Sequence, residues 1–233
     1  MDIHKPKPWH GVREFLKEYL IIVVGVLTAL AAEQVVVGAH ERRIADEARE
    51  SVRAEVRENL WWLEKREAYQ PCARQKLTEI RDVLDHARHG QPYPVPRQVR
   101  LIAHIKLTSL RWEANAQAGR ASLFTTQEQR SLGNMYFVTE EFRHAQDLEE
   151  DDWSKLRAME DLDRLTPAEI DAFSILLAQA NYESARIELS LQRAHQWAAT
   201  MGLKAANPSV FEVPMSSSAP PSCTSISSPL SAP

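Results

Sequence analysis

The sequence predicts an all-α protein: an N-terminal transmembrane helix that continues into a long-helix bundle with coiled-coil-like packing. Three observations predict it. An uncharged apolar run covers residues 19–32. Apolar residues then recur at steps of three and four through most of the chain, the spacing of one helical face. Only seven glycines occur, too few for a turn-rich β architecture. The reading divides the 233 residues into a short basic tail (1–14), a transmembrane helix (15–39), a helical bundle (40–205) and a disordered Ser/Pro-rich tail (206–233).

The run YLIIVVGVLTALAA alone makes about 21 Å of helix, short of a ~30 Å hydrocarbon core. Phe15 and Leu16 extend it on one side and Val35, Val36 and Val37 on the other, so a helix over 15–37 spans. Lys17 can snorkel along its stem, and Trp9, Phe15 and Tyr19 suit an interfacial belt. A cleaved signal peptide ending at Ala29-Leu30-Ala31 is the rival reading. Glu14 and Glu18 crowd the start of the run and count against it. Lys5, Lys7, Arg13 and Lys17 precede the span; Arg42, Arg43, Arg49, Arg53 and Arg57 follow it. The positive-inside count does not choose a side. The short tail is placed inside by default, which puts the bundle outside. Gly25 and Ala29 form a small-xxx-small pair with Glu33 one turn on. They are the candidate helix–helix contact residues, beside the plainer reading of a lone spanning helix.

The helix EYLIIVVGVLTAL carries Glu18, Gly25, Ala29 and Leu30 in the pattern E-x6-G-x3-A-L. A charged stretch follows, ending in Asn59-Leu60. Farther on come Trp112, Gly119, Leu123, Glu128 and Tyr136. On these residues, over about half its length, the chain resembles a bacterial family of uncharacterised single-pass membrane proteins. It departs from the family's pattern after Leu30, where AAEQVVVG replaces a polar, Asn-rich stretch. The resemblance implies a membrane-anchored helical domain, expected in a bacterial inner membrane with its bundle in the periplasm, and it points to no particular activity.

Ile44, Ala48, Val52, Val56, Leu60 and Leu63 form one apolar stripe over 41–69. Pro71 is expected to end that helix, because proline disfavours helical geometry in the residue before it. A second helix is expected over about 72–89, with Leu77, Ile80, Leu84 and Ala87 on one face and Gly90 as its stop. QPYPVPR (91–97) reads as an extended spacer. The run VRLIAHIKLTSLRW (99–112) fits a buried helix or a strand; helix is chosen from its surroundings. Thr125 and Glu128 match a capping box, so a helix starts near 126, with a break expected in the acidic run 149–152 before Trp153, Leu156 and Met159. Thr166-Pro167-Ala168-Glu169 opens the clearest helix, and Gly202 ends it. Along it Ile170, Phe173, Leu177, Ala180, Ser184, Ile187, Leu191, Ala194, Ala198 and Met201 alternate by three and four, a heptad seam. Residues 207–233 hold six of the thirteen prolines and no charge after Glu212, a composition that reads as disorder.

Formal net charge is −4, so no basic excess points to nucleic acid. Glycine spacing excludes a P-loop and a GxGxxG turn. Glu141-x-x-His144 has di-iron helix spacing but lacks a second copy. His86 and His89, beside Asp82 and Asp85, offer ligands one turn apart; two histidines favoured by a helix C-terminus are the plainer reading. Residues 149–152 lack the spacing of a calcium loop. Cys72, read at a helix start, is compatible with a reactive thiol or a bond to Cys223; a quiet buried cysteine is the expectation. Of Trp61 and Trp62, one is expected buried and one partly exposed.

No catalytic residue, cofactor or metal site is assigned. The expected partners are the lipid bilayer and a second copy or another envelope protein, and the expected function is helix–helix interaction without enzymatic activity. A ligand-binding membrane sensor is the alternative, and a metal-dependent enzyme stands third.

Overall fold

The computed structural model describes residues 11–100, 104–207 and 223–228. The described chain is all-α. Helix α1 is Val12–Arg88, α2 Leu110–Gln117, α3 Thr126–Leu156 and α4 Pro167–Thr200, with short 3-10 turns at Arg120–Leu123 and Arg157–Asp161. Two compact units divide the chain, residues 1–48 and 49–233.

In the first unit, α1 carries one stretch long and apolar enough to cross a membrane, and none of that stretch is buried. Leu20, Ile21, Ile22, Val24, Leu27, Leu30, Val35 and Val36 all stand more than half exposed. An apolar sleeve of this kind has no counterpart in a soluble core helix, whose apolar face is covered.

In the second unit, α3 and α4 pack along each other while one face of α1 is buried. The capping boxes are present at both predicted starts. Thr125 accepts from the Glu128 amide, and Thr166 accepts from the Glu169 amide. Gly90 and Gly202 adopt positive φ (65° each), as stop residues do. The predicted seam of α4 is buried from Ile170 through Ala198, with Met201 half-buried. Ala180 is wholly inaccessible and Ala194 nearly so. The partner of this seam therefore lies in the same chain. One core cluster joins Leu77, Ile80 and Leu84 of α1 to Trp153 and Leu156 of α3 and Phe173 and Leu177 of α4.

Five expectations are corrected. Pro71 lies inside α1, which runs unbroken to Arg88. An interior proline removes one i→i−4 bond. Pro71 and Glu67 are both exposed, so the carbonyl freed at Glu67 is on the solvated side. The acidic run does not break α3, and three of its four members are paired: Glu149 with Arg66, Glu150 with His104, and Asp151 with Lys155. Among the described residues of the run after the prolines, 99–100 and 104–109 are not helical, and α2 begins only at Leu110. Residues 104–109 form a strap in which Ile105 and Leu107 are buried while His104 and Lys106 are exposed, a period of two rather than 3.6. Residues 101–103 lie outside the described residues. Finally, Cys72 is neither free nor at a helix start: it is bonded to Cys223, 151 residues away. Residues 223–228 pack with Ile226 wholly buried, so disorder does not describe that part of the tail. Residues 208–222 and 229–233 lie outside the described residues, as do residues 1–10, which hold most of the predicted basic tail.

Candidate functional site

Two polar nodes occupy the interior of the second unit. The first centres on Glu55, fully buried on α1. Its carboxylate accepts the backbone N–H groups of Arg111 (2.9 Å) and Trp112 (3.1 Å), the first turn of α2, and the Tyr136 hydroxyl (2.6 Å). Ser109 sits at the N-cap position of α2 but makes no capping bond; its hydroxyl goes to Glu113 instead. Glu55 thus caps α2 from another helix, where the exposed amides and the helix dipole favour negative charge. Burial and the adjoining Glu55 carboxylate push the Tyr136 hydroxyl far above its ordinary range, so it stays a donor. Trp112 stacks on the Tyr136 ring at 5.3 Å and 11°.

One turn along α1, Asn59 clasps the strap. Its amide donates to the Thr108 carbonyl (2.8 Å) and accepts from the Thr108 N–H (3.1 Å). Gln146 of α3 does the same to Ile105, donating to its carbonyl at 2.9 Å and accepting from its N–H at 3.0 Å. Each amide imitates the paired bonds of an antiparallel ladder, which explains how a buried non-helical segment satisfies its backbone. Gln146→Leu leaves the Ile105 N–H and carbonyl without these partners. About 1–3 kcal/mol of stability should be lost, read as a lower denaturation midpoint.

Asn59, Trp112 and Tyr136 belong to this node. Gly119, at φ 71°, turns the chain out of α2. The Leu123 carbonyl accepts from Arg49 at 3.0 Å, and Arg49 also pairs with Glu128 at 3.1 Å. Partial burial pushes the Glu128 carboxyl up. The Thr125 amide and hydroxyl, together with Arg49, bring it below the ordinary range. Beside them is a cleft of about 300 Å³ lined by Arg49, Arg53, Glu128, Ser131, Leu132 and Met201 among others. Arg53 donates to the Met201 carbonyl at the end of α4 (3.2 Å).

The second node is the pair Arg66–Glu149, 2.6 Å apart and sealed from solvent, with side chains 1% and 0% exposed. Arg66 also donates to Gln70, which donates to the Ser184 carbonyl at 3.3 Å. Arg66 Nε and Glu149 Oε1 have no protein partner. Burial pushes the Glu149 carboxyl up against the pull of Arg66, with Glu183 and Asp152 adding to the rise. Burial raises Asp152 as well.

A carboxyl raised by folding binds its proton more readily in the folded chain. Its contribution is full below the unfolded value of ~4 and is lost as pH climbs through the folded value. Glu128 is lowered, so its contribution is present above ~4 and lost on acidification. Stability should therefore peak on the acid side of neutral. Glu149→Gln should flatten the decline above the peak, as read from urea midpoints across pH.

The predicted contact residues Gly25, Ala29 and Glu33 all lie on α1 and are exposed. A Cβ added to Gly25 meets nothing within 4 Å, as at the other six glycines. Glu141 pairs with Arg193 at 3.2 Å while His144 is exposed, and the two do not form a ligand pair. His86 and His89 each turn Nδ1 back to a carbonyl of their own helix, both at 2.7 Å. No group of three His, Cys, Asp or Glu with metal-holding geometry occurs among the described residues. Trp61 and Trp62 are both half-buried, edge to face at 4.7 Å, instead of one being buried.

Sequence reasoning missed Glu55, Gln146 and Arg66. The first and last had a legible signal. Glu55, Asn59, Arg66 and Gln70 fall at helical steps on the buried side of α1, where a polar residue asks for a partner. Gln146 had no such signal. Compared with family models, curated proteins and solved structures, the chain matches none.

Proposed function

We propose that this chain is a single-pass protein of the bacterial inner membrane. Its bundle lies on the periplasmic side and works through helix–helix contact with a second copy or another envelope protein, without enzymatic activity. The observation that carries the reading is the bare apolar sleeve of α1, which lipid would cover. The Cys72–Cys223 bond supports the periplasmic side, since disulfides persist in oxidising compartments. The open Gly25/Ala29/Glu33 face supports contact within the bilayer.

Outside the bilayer, Ile175, Tyr182 and Leu189 recur every seven residues on α4 and stand 62%, 64% and 45% exposed. A heptad stripe facing outward, beside the seam already buried, suits coiled-coil-like docking of a further helix. Tyr182→Lys with Leu189→Lys should weaken self-association at least tenfold, measured by sedimentation in detergent. The melting point should move by no more than a few degrees, because neither side chain is in the core. A wild-type chain that stays monomeric over a wide concentration range removes the second-copy reading.

One observation favours a membrane sensor as the second reading. The cleft beside Arg49 and Arg53 is at the lower end of ligand-pocket size, and its arginines suit an anion. A saturable melting shift with small carboxylates or phosphates would support it; no shift across such a panel would leave the first reading alone.

A further inference from the structure

Residues 223–228 sit in a groove built from α1 and the stretch that follows it. Ile226 is wholly buried among Leu77, Ile80, Val99 and their neighbours. Its N–H donates to Glu79 at 2.7 Å, and the Ser225 hydroxyl donates to the same carboxylate at 2.9 Å. The Ile226 carbonyl accepts from the amides of Arg97 (2.6 Å) and Gln98 (2.9 Å). The Gln98 side chain reaches the Ser228 carbonyl at 3.3 Å. Main-chain bonds for affinity and one apolar pocket for specificity are the means by which grooves bind extended peptides. Here the bound peptide is the chain's own C-terminal segment, fastened by Cys72–Cys223.

We propose that this segment is a thiol-operated latch: the disulfide keeps the peptide in its groove, and reduction by a dithiol releases it. One buried side chain and a few hydrogen bonds are small against the entropy of ordering six residues, so the covalent bond decides occupancy. Accessibility sets the order of events. Cys72 is buried, whereas Cys223 is half-exposed. A dithiol's thiolate attacks the Cys223 sulfur, forming a mixed disulfide and expelling the Cys72 thiolate, which takes up a proton. The reductant's second thiol, as its thiolate, then displaces Cys223, which leaves as a thiolate and is protonated. The chain gains two electrons and two protons, and the dithiol becomes a disulfide. The opened groove presents the Arg97 and Gln98 amides, the Glu79 carboxylate and the pocket left by Ile226. The inference is independent of the membrane reading, because it concerns only the bundle.

The test follows amide exchange of the purified full-length chain in detergent, oxidised and after dithiothreitol, with thiols counted. Exchange at Arg97 and Gln98 should rise on reduction to that of an open segment, at least tenfold beyond any rise in the α4 interior around Ile187 and Leu191, which follows the global loss of stability alone. Re-oxidation should restore the protection. In the oxidised chain, Ile226→Ser should raise exchange at Arg97 and Gln98 at least tenfold with Cys72–Cys223 still formed, because the pocket contact is lost. Protection of Arg97 and Gln98 that survives full reduction overturns the latch. So does exchange rising equally throughout α3 and α4, which would make the bond a general staple. Unchanged protection of Arg97 and Gln98 in the oxidised Ile226→Ser chain overturns the groove.

Discussion

Cys223→Ser lowers the thermal midpoint of the bundle by roughly 6–12 °C, the largest effect expected of any substitution outside the core. The bond joins residues 151 apart. The chain-entropy treatment gives about 5 kcal/mol for a loop of that size, and measured disulfides more often give 2–4 kcal/mol. Taking ~3 kcal/mol and 2–4 °C per kcal/mol for a domain of this length gives the range stated. The effect acts mainly on the unfolded chain, so the folded spectrum should be unchanged below the transition. Cys72→Ser should match it, since either substitution opens the same loop. A drop from Cys72→Ser alone would point instead to packing of the buried sulfur.

Arg66→Met costs about 3–5 kcal/mol, whereas Arg66→Met combined with Glu149→Leu costs little or stabilises. Both charges are sealed inside, and each keeps one polar atom without a protein partner. Removing the guanidinium alone strands Glu149 near Asp152 and Glu183, whose charges already oppose its ionisation. Removing both ions abolishes the desolvation cost along with the attraction, and buried pairs replaced this way are commonly neutral or better by 1–4 kcal/mol. Urea midpoints of the single and double variants decide it. If the double variant is as unstable as the single one, the pair contributes through packing that the apolar pair does not reproduce.

Much of this fold is legible in the sequence because its signals are local. The two capping boxes, the glycine stops and the seam of α4 each depend on residues within a few turns. The course of α1 was legible too, at a finer reading. Leu63, Arg66, Gln70, Ala73, Leu77, Ile80 and Leu84 are all buried and step by four and three without a phase change across Pro71. A helix that ended there would have no reason to keep its phase. The rule about proline is local, and the seam, which draws on tertiary packing, outweighs it.

The strap is different. VRLIAHIKLTSLRW fits two periods, and what decides between them is a pair of amides, Asn59 and Gln146, that come from helices far away in the chain. No local pattern encodes a backbone segment satisfied by distant side chains. The disulfide is illegible for the same reason. Two cysteines in a chain of this length read as incidental until the fold brings the tail across α1. The Gly25, Ala29 and Glu33 face rests on spacing alone: all three are exposed, like most of the stretch around them, and contact there is a proposal.

The most direct test of the account asks for compartment and membrane attachment in one experiment. Cells making the full-length chain are quenched in acid to trap thiols. The membrane and soluble fractions are treated with a maleimide-linked polymer that slows migration, with and without prior reduction. The account predicts that the chain is in the membrane fraction, that neither cysteine reacts before reduction, and that both react after it. Free thiols before reduction would contradict a bundle in an oxidising compartment, and a chain recovered in the soluble fraction would contradict the membrane anchor itself.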